Sequence, residues 1–451
     1  MKKAANKNKR KRAAAGHSQI SVLRKATVKG IKKRPFYIVG MGGSAGGLEA
    51  FGQFFANMPT DSGMAFVLVP HLDPTHKGMM PELLQRFTKM AVFQVEDGMK
   101  VCPDCVYVIP PNKDMSILHG TLQLLEPSEP RGLRLPIDFF LRHLAEDQQE
   151  MSVGIILSGM GTDGTLGIKS IKEKLGMVVV QDVSSAKYDG MPRSAIATGL
   201  VDYIAPVEEL PGKLLGYAKH SSAILKEKPT VEEKYTHVIQ KIAVLLRHQT
   251  GHDFSFYKKN TLIRRIERRM SVHRITNADV YIRYLRENPQ EIELLFKELL
   301  IGVTSFFRDH EAFDALREKA IPQMLKSGAK GKVLRVWVPG CSTGEEAYSI
   351  AVILHECLEK LKQKGVFKIQ IFATDIDKDA INKARQGVYA PNIAADVSPE
   401  RLQRFFMKED NGYRLKKEIR EMVICAPQDI IMDPPFTKLD LIIHNDIIYC
   451  A

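Results

Sequence analysis

The sequence predicts an α/β protein built as a doubly wound parallel-sheet domain, a small all-helical domain and a second, Rossmann-like α/β domain. Apolar runs that end at glycine or proline alternate with helix-like patterns from Phe36 to about His220. From residue 235 to 300, apolar residues then recur with a period of about 3.6, and no run there is typical of a strand. A second alternating region begins at Val333.

Composition and pattern divide the chain into five segments. Residues 1–34 are a basic tail that we predict to be disordered, and residues 35–220 are the first α/β domain. Residues 221–234 are polar and are predicted to be a linker. Residues 235–305 are the helical domain, and residues 306–451 are the second α/β domain.

The net charge of +13 originates in the tail. Residues 1–34 contain 13 Lys or Arg and no Asp or Glu, whereas the rest of the chain carries 52 residues of each sign. Such a tail either solubilises the chain or binds RNA, DNA or anionic lipid. Because the positive and negative charges of the remaining residues balance, we expect no nucleic-acid partner for the folded domains.

The sequence carries no sign of export or membrane insertion. No stretch approaches the roughly 20 apolar residues of a spanning helix, and no secretory signal follows the basic N-terminus. The six cysteines form no disulfide framework, which predicts a cytoplasmic protein. Cys102 and Cys105 form a C-x-x-C, but no second pair or histidine cluster completes a zinc site, so no metal site is predicted.

The first candidate site is the segment Gly42-Gly-Ser-Ala-Gly46, which matches G-x-S-x-G. This pattern places Ser44 on a sharp turn between a strand and a helix, where the helix N-terminus can stabilise an oxyanion. Glycine-rich turns at strand ends also bind phosphate. The loop by itself therefore leaves nucleotide binding open as an alternative.

Two further strand ends favour hydrolysis over nucleotide binding. His71 follows the apolar run 65–70, and Asp163 follows the run 153–157. Functional residues of an open parallel sheet gather at the carboxyl ends of its strands. We therefore predict that Ser44, His71 and Asp163 converge as nucleophile, general base and orienting carboxylate. Their chain order differs from the Ser, Asp, His order of α/β-hydrolases.

Residues 36–196 contain, in this order, IVGMGGSAGG, VPHLDP, EDGMKV, YVIPPNKDM, IILSGMGTDG and YDGMPRSAI. With these segments the region resembles the catalytic domain of CheB-type protein-glutamate methylesterases. The resemblance implies hydrolysis of glutamyl methyl esters on chemoreceptors, with deamidation of receptor glutamines, and it requires no cofactor. It also implies that the backbone near Met160 helps to hold the oxyanion. Because only 34 residues precede the domain, we expect no receiver domain to control it.

A second candidate site follows the run Val333–Val338. The run leads into PGCSTGEE and a helix, and Asp375 ends the next strand, where it can accept hydrogen bonds from a ribose. The loop has neither the G-x-G-x-x-G spacing of dinucleotide sites nor a P-loop lysine. It therefore favours S-adenosyl-L-methionine among adenosine cofactors.

Residues from about 238 to 449 include GVTSFFRD, VWVPGCSTGEEAYSIA, ATDIDKDAINKARQGVY and APQDIIMDPPFTKLDLI. This part resembles CheR-type methyltransferases, which esterify receptor glutamates with S-adenosyl-L-methionine. By the resemblance, the residues that contact the cofactor are Thr304, Arg308, Glu346, Asp375 and Asn445. The partner implied for the whole chain is a methyl-accepting chemoreceptor or a similar signalling protein.

The helical domain contains a strongly basic helix. Its arginines suit a receptor helix bundle that bears glutamates, or else they form a solvated face; they are Arg264, Arg265, Arg268 and Arg269. The sequence makes no prediction about the oligomeric state.

The methyltransferase-like part departs from its family at several positions. Gly302 and Asp429 stand where the family has asparagine, and His444 stands where it has arginine. The chain also stops directly after the apolar run 439–449. We therefore expect this domain to be incomplete and impaired, next to an intact esterase. The alternative is a regulatory scaffold whose methyltransferase half binds partners without turnover.

Overall fold

The computed structural model describes most of the chain. The described residues are 36–71, 80–127, 134–226, 231–302, 304–327, 333–360, 367–410, 412–444 and 447–450. The predicted basic tail, 1–34, and Asn445 lie outside them. Below, the N-terminal domain is residues 37–226, the helical domain is residues 231–300, and the C-terminal domain is residues 304–450.

The N-terminal domain alternates strands and helices as predicted. In chain order these are β1 (Ile38–Gly43), α1 (Gly47–Ala56), β2 (Ala65–Pro70), α2 (Met80–Leu84), β3 (Ala91–Gln94), β4 (Met99–Lys100), β5 (Cys105–Val108), β6 (Asp114–Leu118), β7 (Thr121–Leu125), α3 (Pro136–Gln148), β8 (Ser152–Ile156), α4 (Thr165–Glu173), β9 (Met177–Gln181), α5 (Gly190–Ile196), β10 (Tyr203–Ala205) and α6 (Leu210–Lys226). Seven strands form a parallel sheet in the order β10-β9-β8-β1-β2-β5-β3. A separate antiparallel sheet has the order β4-β7-β6.

Helices cover both faces of the parallel sheet, which confirms the doubly wound fold. Strands β1, β2, β8 and β9 are buried along their whole length, as strands of a sheet covered on both sides must be. On one face, Phe51 of α1 and Leu214 of α6 pack with Val39 in the core. On the other face, Leu141 of α3 packs against Gly40.

Three glycines lie within β1 itself, because the strand continues to Gly43. A Cβ atom at Gly40 would lie 2.6 Å from Leu141 Cδ2, and one at Gly42 would lie 2.5 Å from Ile137 Cγ2. These glycines therefore let α3 pack closely on the strand, and the turn comes after them.

The helical domain consists of four helices: α7 (Val231–Thr250), α8 (Lys259–Val272), α9 (Ala278–Glu287) and α10 (Pro289–Leu299). Their apolar faces meet around Ile242, Ile266 and Leu295. Much of the predicted linker 221–234 is helical, because α6 ends at Lys226 and α7 begins at Val231. This stretch contains good helix formers such as leucine, lysine and glutamate.

The C-terminal domain has a second, smaller sheet. Its elements are α11 (His310–Ala315), α12 (Ile321–Ser327), β11 (Val333–Pro339), α13 (Glu345–Lys360), β12 (Lys368–Asp375), α14 (Lys378–Gln386), β13 (Val388–Tyr389), α15 (Pro399–Phe405), β14 (Phe406–Glu409), β15 (Gly412–Leu415), α16 (Lys417–Arg420), β16 (Val423–Pro427), β17 (Leu441–His444) and β18 (Ile447–Cys450). The sheet order is β16-β12-β11-β17-β18, parallel except for β18. An antiparallel sheet, β13-β15-β14, lies apart from it and was not predicted. Among the helices of the described residues, none is both long enough and apolar enough to cross a membrane.

Helix α8 joins the helical domain to the N-terminal domain through buried ion pairs. The Arg268 guanidinium pairs at 2.5 Å with Asp202, which precedes β10, and at 2.5 Å with Glu298 of α10. Lys172 of α4 also pairs with Asp202, at 2.8 Å. Burial opposes ionisation of Asp202, but Arg268 and Lys172 outweigh it and hold the pKa of that carboxyl below its usual value.

These contacts correct the prediction for the basic helix. Arg265, Arg268 and Arg269 are buried, so in this structure they neither face a receptor nor form a solvated surface. Arg264 is the exposed member of the four, and it pairs with Glu150 at 2.8 Å. Arg265 donates to a main-chain carbonyl oxygen of the N-terminal domain, whereas Arg268 and Arg269 pair with acidic side chains. A sequence pattern cannot distinguish such a buried basic face from a solvated one.

Candidate active site

The first candidate site lies at the carboxyl edge of the parallel sheet. Ser44 directly follows β1 and His71 directly follows β2, whose last residues are paired in register. The His71 N–H donates to the Gly43 carbonyl oxygen at 3.1 Å, and the Ser44 N–H donates to the Ser158 carbonyl oxygen at 3.0 Å. Asp163 lies in the loop between β8 and α4. Parallel pairing thus brings together three segments that are far apart in sequence.

His71 and Asp163 are in direct contact. His71 Nε2 lies 2.7 Å from Asp163 Oδ2, and the carboxyl group is buried whereas 33% of the histidine side chain is exposed. The carboxylate also accepts N–H groups from the first turn of α3, from Ile137 at 3.1 Å and from Asp138 at 2.9 Å. These donors stabilise its negative charge. An ionised carboxylate only accepts, so in the neutral tautomer that makes this contact Nε2 carries the proton and Nδ1 is the base.

Ser44 and His71 line one cavity of about 480 Å³, together with Met80, Phe87 and Lys187. Among the described residues, the Ser44 hydroxyl makes no hydrogen bond. Contacts between a catalytic nucleophile and its base are often long before a substrate binds. The structure therefore brings His71 and Asp163 into contact and places Ser44 in the same cavity as His71.

The surroundings of Ser44 are shaped by glycines and by free N–H groups. A Cβ atom at Gly159 would lie 3.0 Å from Ser44 Cβ and 2.2 Å from Met191 Sδ. Gly46 has φ +75°, which closes the turn before α1. Within the described part of the chain, the Met160 N–H has no acceptor. Helix α1 begins at Gly47, so its N-terminal N–H groups follow Ser44 closely in the chain.

Asp138 is a second carboxyl group at this site, and it was not predicted. It is buried behind Asp163, and its Oδ1 accepts the Gly167 N–H at 2.6 Å. Burial, and next the negative charge of Asp163, raise the pKa of Asp138 to about 8, so the group is protonated at neutral pH. In sequence it looked like an ordinary acidic residue in the first turn of a helix.

The second candidate site lies at the end of β11. The loop Gly340–Gly344 connects this strand to α13, and its two end glycines have φ of +69° and +95°. Asp375 ends the neighbouring strand, where its carboxylate accepts the N–H groups of Ser342 at 2.8 Å and of Asp377 at 2.9 Å. Asp375 therefore braces the glycine loop in this structure.

A cavity of about 350 Å³ opens beside the loop. Three predicted cofactor residues, Thr304, Arg308 and Glu346, line it together with Ser342. Asp375 does not line this cavity but accepts a hydrogen bond from Ser342, which does. The fifth predicted residue, Asn445, lies outside the described residues. The Arg308 guanidinium and the carboxylates of Glu346 and Glu173 lie beside a glycine loop, and such groups suit a ligand that carries both an amino-acid end and an adenosine end. The residues present therefore fit S-adenosyl-L-methionine.

Comparison with known families agrees with this division of the chain. A CheB methylesterase model matches residues 39–214. The all-alpha domain of CheR methyltransferase matches residues 238–300, and the SAM binding domain of the same family matches residues 302–450. A putative protein-glutamate methylesterase/protein-glutamine glutaminase of Leptospira interrogans is 32% identical over 171 residues, which are 38% of this chain and 89% of that protein. The chain belongs to the CheB methylesterase family. Beyond its CheB domain it continues into CheR domains.

Two further relatives cover the CheR part. An uncharacterized 104.1 kDa protein of Rhodobacter capsulatus is 36% identical over 392 residues, 82% of this chain and 41% of that protein. A chemotaxis protein methyltransferase of Borreliella burgdorferi is 29% identical over 219 residues, 47% of this chain and 75% of that protein. This chain thus spans less than half of the Rhodobacter relative, and 53% to 58% of two other curated methylesterases.

Proposed function

We propose that the CheB domain hydrolyses γ-glutamyl methyl esters of a signalling receptor, with Ser44, His71 and Asp163 as its catalytic residues. The observation that carries this proposal is the 2.7 Å contact between His71 and the buried Asp163, next to Ser44 at the sheet edge. Relatives of this family are named both methylesterase and protein-glutamine glutaminase. Hydrolysis of glutamine side chains, with release of ammonia, is included in the proposal.

The chemistry follows from the orientation of the histidine. His71 Nδ1 takes the proton of the Ser44 hydroxyl while the oxygen attacks the ester carbonyl carbon. The oxyanion is stabilised by the N–H groups beside Met160 and α1. The proton passes from His71 to the departing methoxide, which leaves as methanol. Water then attacks the acyl-serine with His71 again as base, and the free glutamate and Ser44 are regenerated.

Replacement of the nucleophile tests this proposal. We expect Ser44→Ala to lower methanol release from a methylated receptor fragment by about 10⁴-fold or more, as loss of a triad serine does elsewhere. Ser62→Ala, in a loop away from the cavity, is the control and should retain wild-type release. Unchanged release by Ser44→Ala would refute the assignment.

We further propose that the CheR part binds S-adenosyl-L-methionine in the cavity lined by Thr304, Arg308 and Glu346, with Asp375 bracing its loop. When bound, this cofactor supplies a methyl group to a glutamate carboxylate, a reaction that depends on positioning and needs no strong base. A calorimetric titration with S-adenosyl-L-methionine tests the proposal. We expect saturable binding that Glu346→Ala weakens, and absence of heat in the wild type would contradict it.

The two proposals together describe a sensory-adaptation protein that acts on a methyl-accepting chemoreceptor in the cytoplasm. Methanol release and labelled-methyl transfer, measured side by side on one receptor fragment, would establish which half turns over. The family departures at Gly302, Asp429 and His444 predict that methyl transfer is the slower activity.

A further inference from the structure

The cofactor cavity of the CheR part receives a side chain from the CheB domain. Glu173 is the last residue of α4, and its carboxylate pairs with the Arg308 guanidinium at 3.1 Å. Both residues line the cavity that also contains Thr304 and Glu346. The Glu173 carboxylate of the CheB domain thus lies beside the Arg308 guanidinium in the cofactor cavity of the CheR part.

A second cavity, of about 450 Å³, meets the first at Glu173, Thr304 and Arg308. One of its walls belongs to the CheB domain, and the opposite wall belongs to the CheR part. Arg142 of α3 contacts Asp396 of the CheR part across it, at 3.4 Å. Approach to Arg308 from this side therefore passes between the two domains.

The position of Glu173 is fixed by the domain interface. Arg265 of α8 donates to the Lys172 carbonyl oxygen at 2.9 Å, which holds the end of α4. The Lys172 ammonium is itself paired with Asp202 at 2.8 Å. The Glu173 side chain is only 28% exposed, so it is held near Arg308 rather than extending into solvent.

We propose that Glu173 occupies, in cis, the side of Arg308 that faces the interdomain cavity, which is the carboxylate subsite that an incoming glutamyl side chain of a partner protein would take beside the cofactor. The cleft is then a composite site of both domains, and a partner glutamate has to displace the internal one. The carboxylate group of Glu173 and that of the partner are chemically equivalent, so they compete for one guanidinium. This inference rests on the proposed methyl-transfer role of the CheR part.

A binding assay without cofactor tests the competition. The probe is a fluorescein-labelled helical peptide with repeated glutamates, followed by anisotropy at low ionic strength. A half-exposed ion pair is worth up to about 1 kcal/mol, so Glu173→Gln should tighten binding by about three- to five-fold. Adding Arg308→Ala to Glu173→Gln should abolish the gain.

Glu150→Gln is the matched control. This substitution also removes one negative charge, from the pair that Glu150 of the CheB domain forms with Arg264 of the CheR part at 2.8 Å. Neither Glu150 nor Arg264 lines either cavity. We expect its peptide affinity to equal that of the wild type, and both variants should show wild-type urea midpoints. The proposal is overturned if Glu173→Gln binds no tighter than the wild type, or if Glu150→Gln gains as much.

Failure of the cofactor proposal would be distinguishable from failure of this one. Calorimetry with S-adenosyl-L-methionine on the same samples reports on cofactor binding alone, because the peptide assay contains none. If Glu173→Gln binds the peptide more tightly but calorimetry detects no cofactor binding, the proposal that Glu173 occupies the subsite is supported and the proposed methyl-transfer role is rejected.

Discussion

At the scale of single residues, the geometry of the esterase site depends on groups that have no part in the bond changes. Asp163 is oriented by N–H groups of α3. Asp138, a residue of that helix, lies beside Asp163, and its carboxyl group remains protonated. Two ionised carboxylates so close in a buried site would repel each other strongly. A neutral Asp138 therefore leaves Asp163 as the single charged carboxylate in contact with His71.

The protonation of Asp138 predicts how stability depends on pH. The pKa of Asp138 is about 8 in the folded chain and 3.8 ordinarily. At pH values between these two, the folded state therefore binds one proton more than the unfolded state. The contribution of Asp138 to the free energy of unfolding falls as pH rises, by up to about 1.4 kcal/mol per pH unit, and it levels off above the folded pKa. Asp138→Asn removes this dependence. Urea denaturation of both proteins at pH 6 and pH 8 should show the variant gaining relative to the wild type; parallel pH dependence would contradict the assignment.

Gly159 constrains the position of Ser44, the proposed nucleophile. In Gly159→Ala the new methyl group would overlap Met191 Sδ, which can move, and would press on Ser44 Cβ, which the backbone holds. Because misplacement by about 1 Å costs catalysis roughly 100-fold, methanol release should fall by about ten- to 100-fold while the urea midpoint changes little. Gly212→Ala, where a Cβ atom meets nothing within 4 Å, should retain full activity. Equal activity of the two variants would show that Ser44 is not under this constraint.

The sequence predicted some of these residues and not others, for a physical reason. Ser44, His71 and Asp163 each follow an apolar run, and parallel strands bring such ends to one edge. Asp138 and Glu173 have no comparable local signal. Their roles come from partners 25 and 135 residues away in the chain, Asp163 and Arg308, and only the tertiary structure makes those pairs.

At the scale of elements, helix α8 shows the same limit. Its arginines and apolar residues alternate as on any amphipathic helix, so the sequence predicts a basic face but not what covers that face. The acidic partners come from a loop of the CheB domain and from α10, at Asp202 and Glu298. By contrast, the helices and parallel strands themselves were predictable, because their hydrophobic periodicity is local.

The buried pairs of α8 predict a large difference between two neighbouring arginines. Arg268→Ala leaves Asp202 and Glu298 buried without their main cation, which typically costs about 3–5 kcal/mol of unfolding free energy. Arg264→Ala removes an exposed pair with Glu150 and should cost at most about 1 kcal/mol. Urea denaturation of the two variants measures the difference. Similar losses would mean that the interface around Arg268 does not depend on its charge.

At the scale of the whole molecule, the CheB domain and the CheR part are coupled through α8. The described residues from Tyr37 onward form one compact unit, and Val272 of α8 packs into the core of the CheB domain. The Tyr203 hydroxyl near the sheet edge also donates to the Val272 carbonyl oxygen. Interface contacts of this kind make the stability of each part depend on the other.

This coupling predicts a single unfolding transition. The chain has one tryptophan, Trp337, which is buried in the CheR sheet, so its fluorescence reports on that part, while methanol release reports on the CheB domain. With rising urea concentration, the two signals of the wild type should be lost at the same midpoint, because separation of α8 from the CheB domain would remove Arg268 from the buried Asp202. In Arg268→Ala the interface is weakened and the two midpoints should diverge, whereas in Arg264→Ala they should still coincide.

Separate midpoints in the wild type would show that the two parts unfold independently. Coincident midpoints in Arg268→Ala would show that contacts other than this ion pair hold the two parts together.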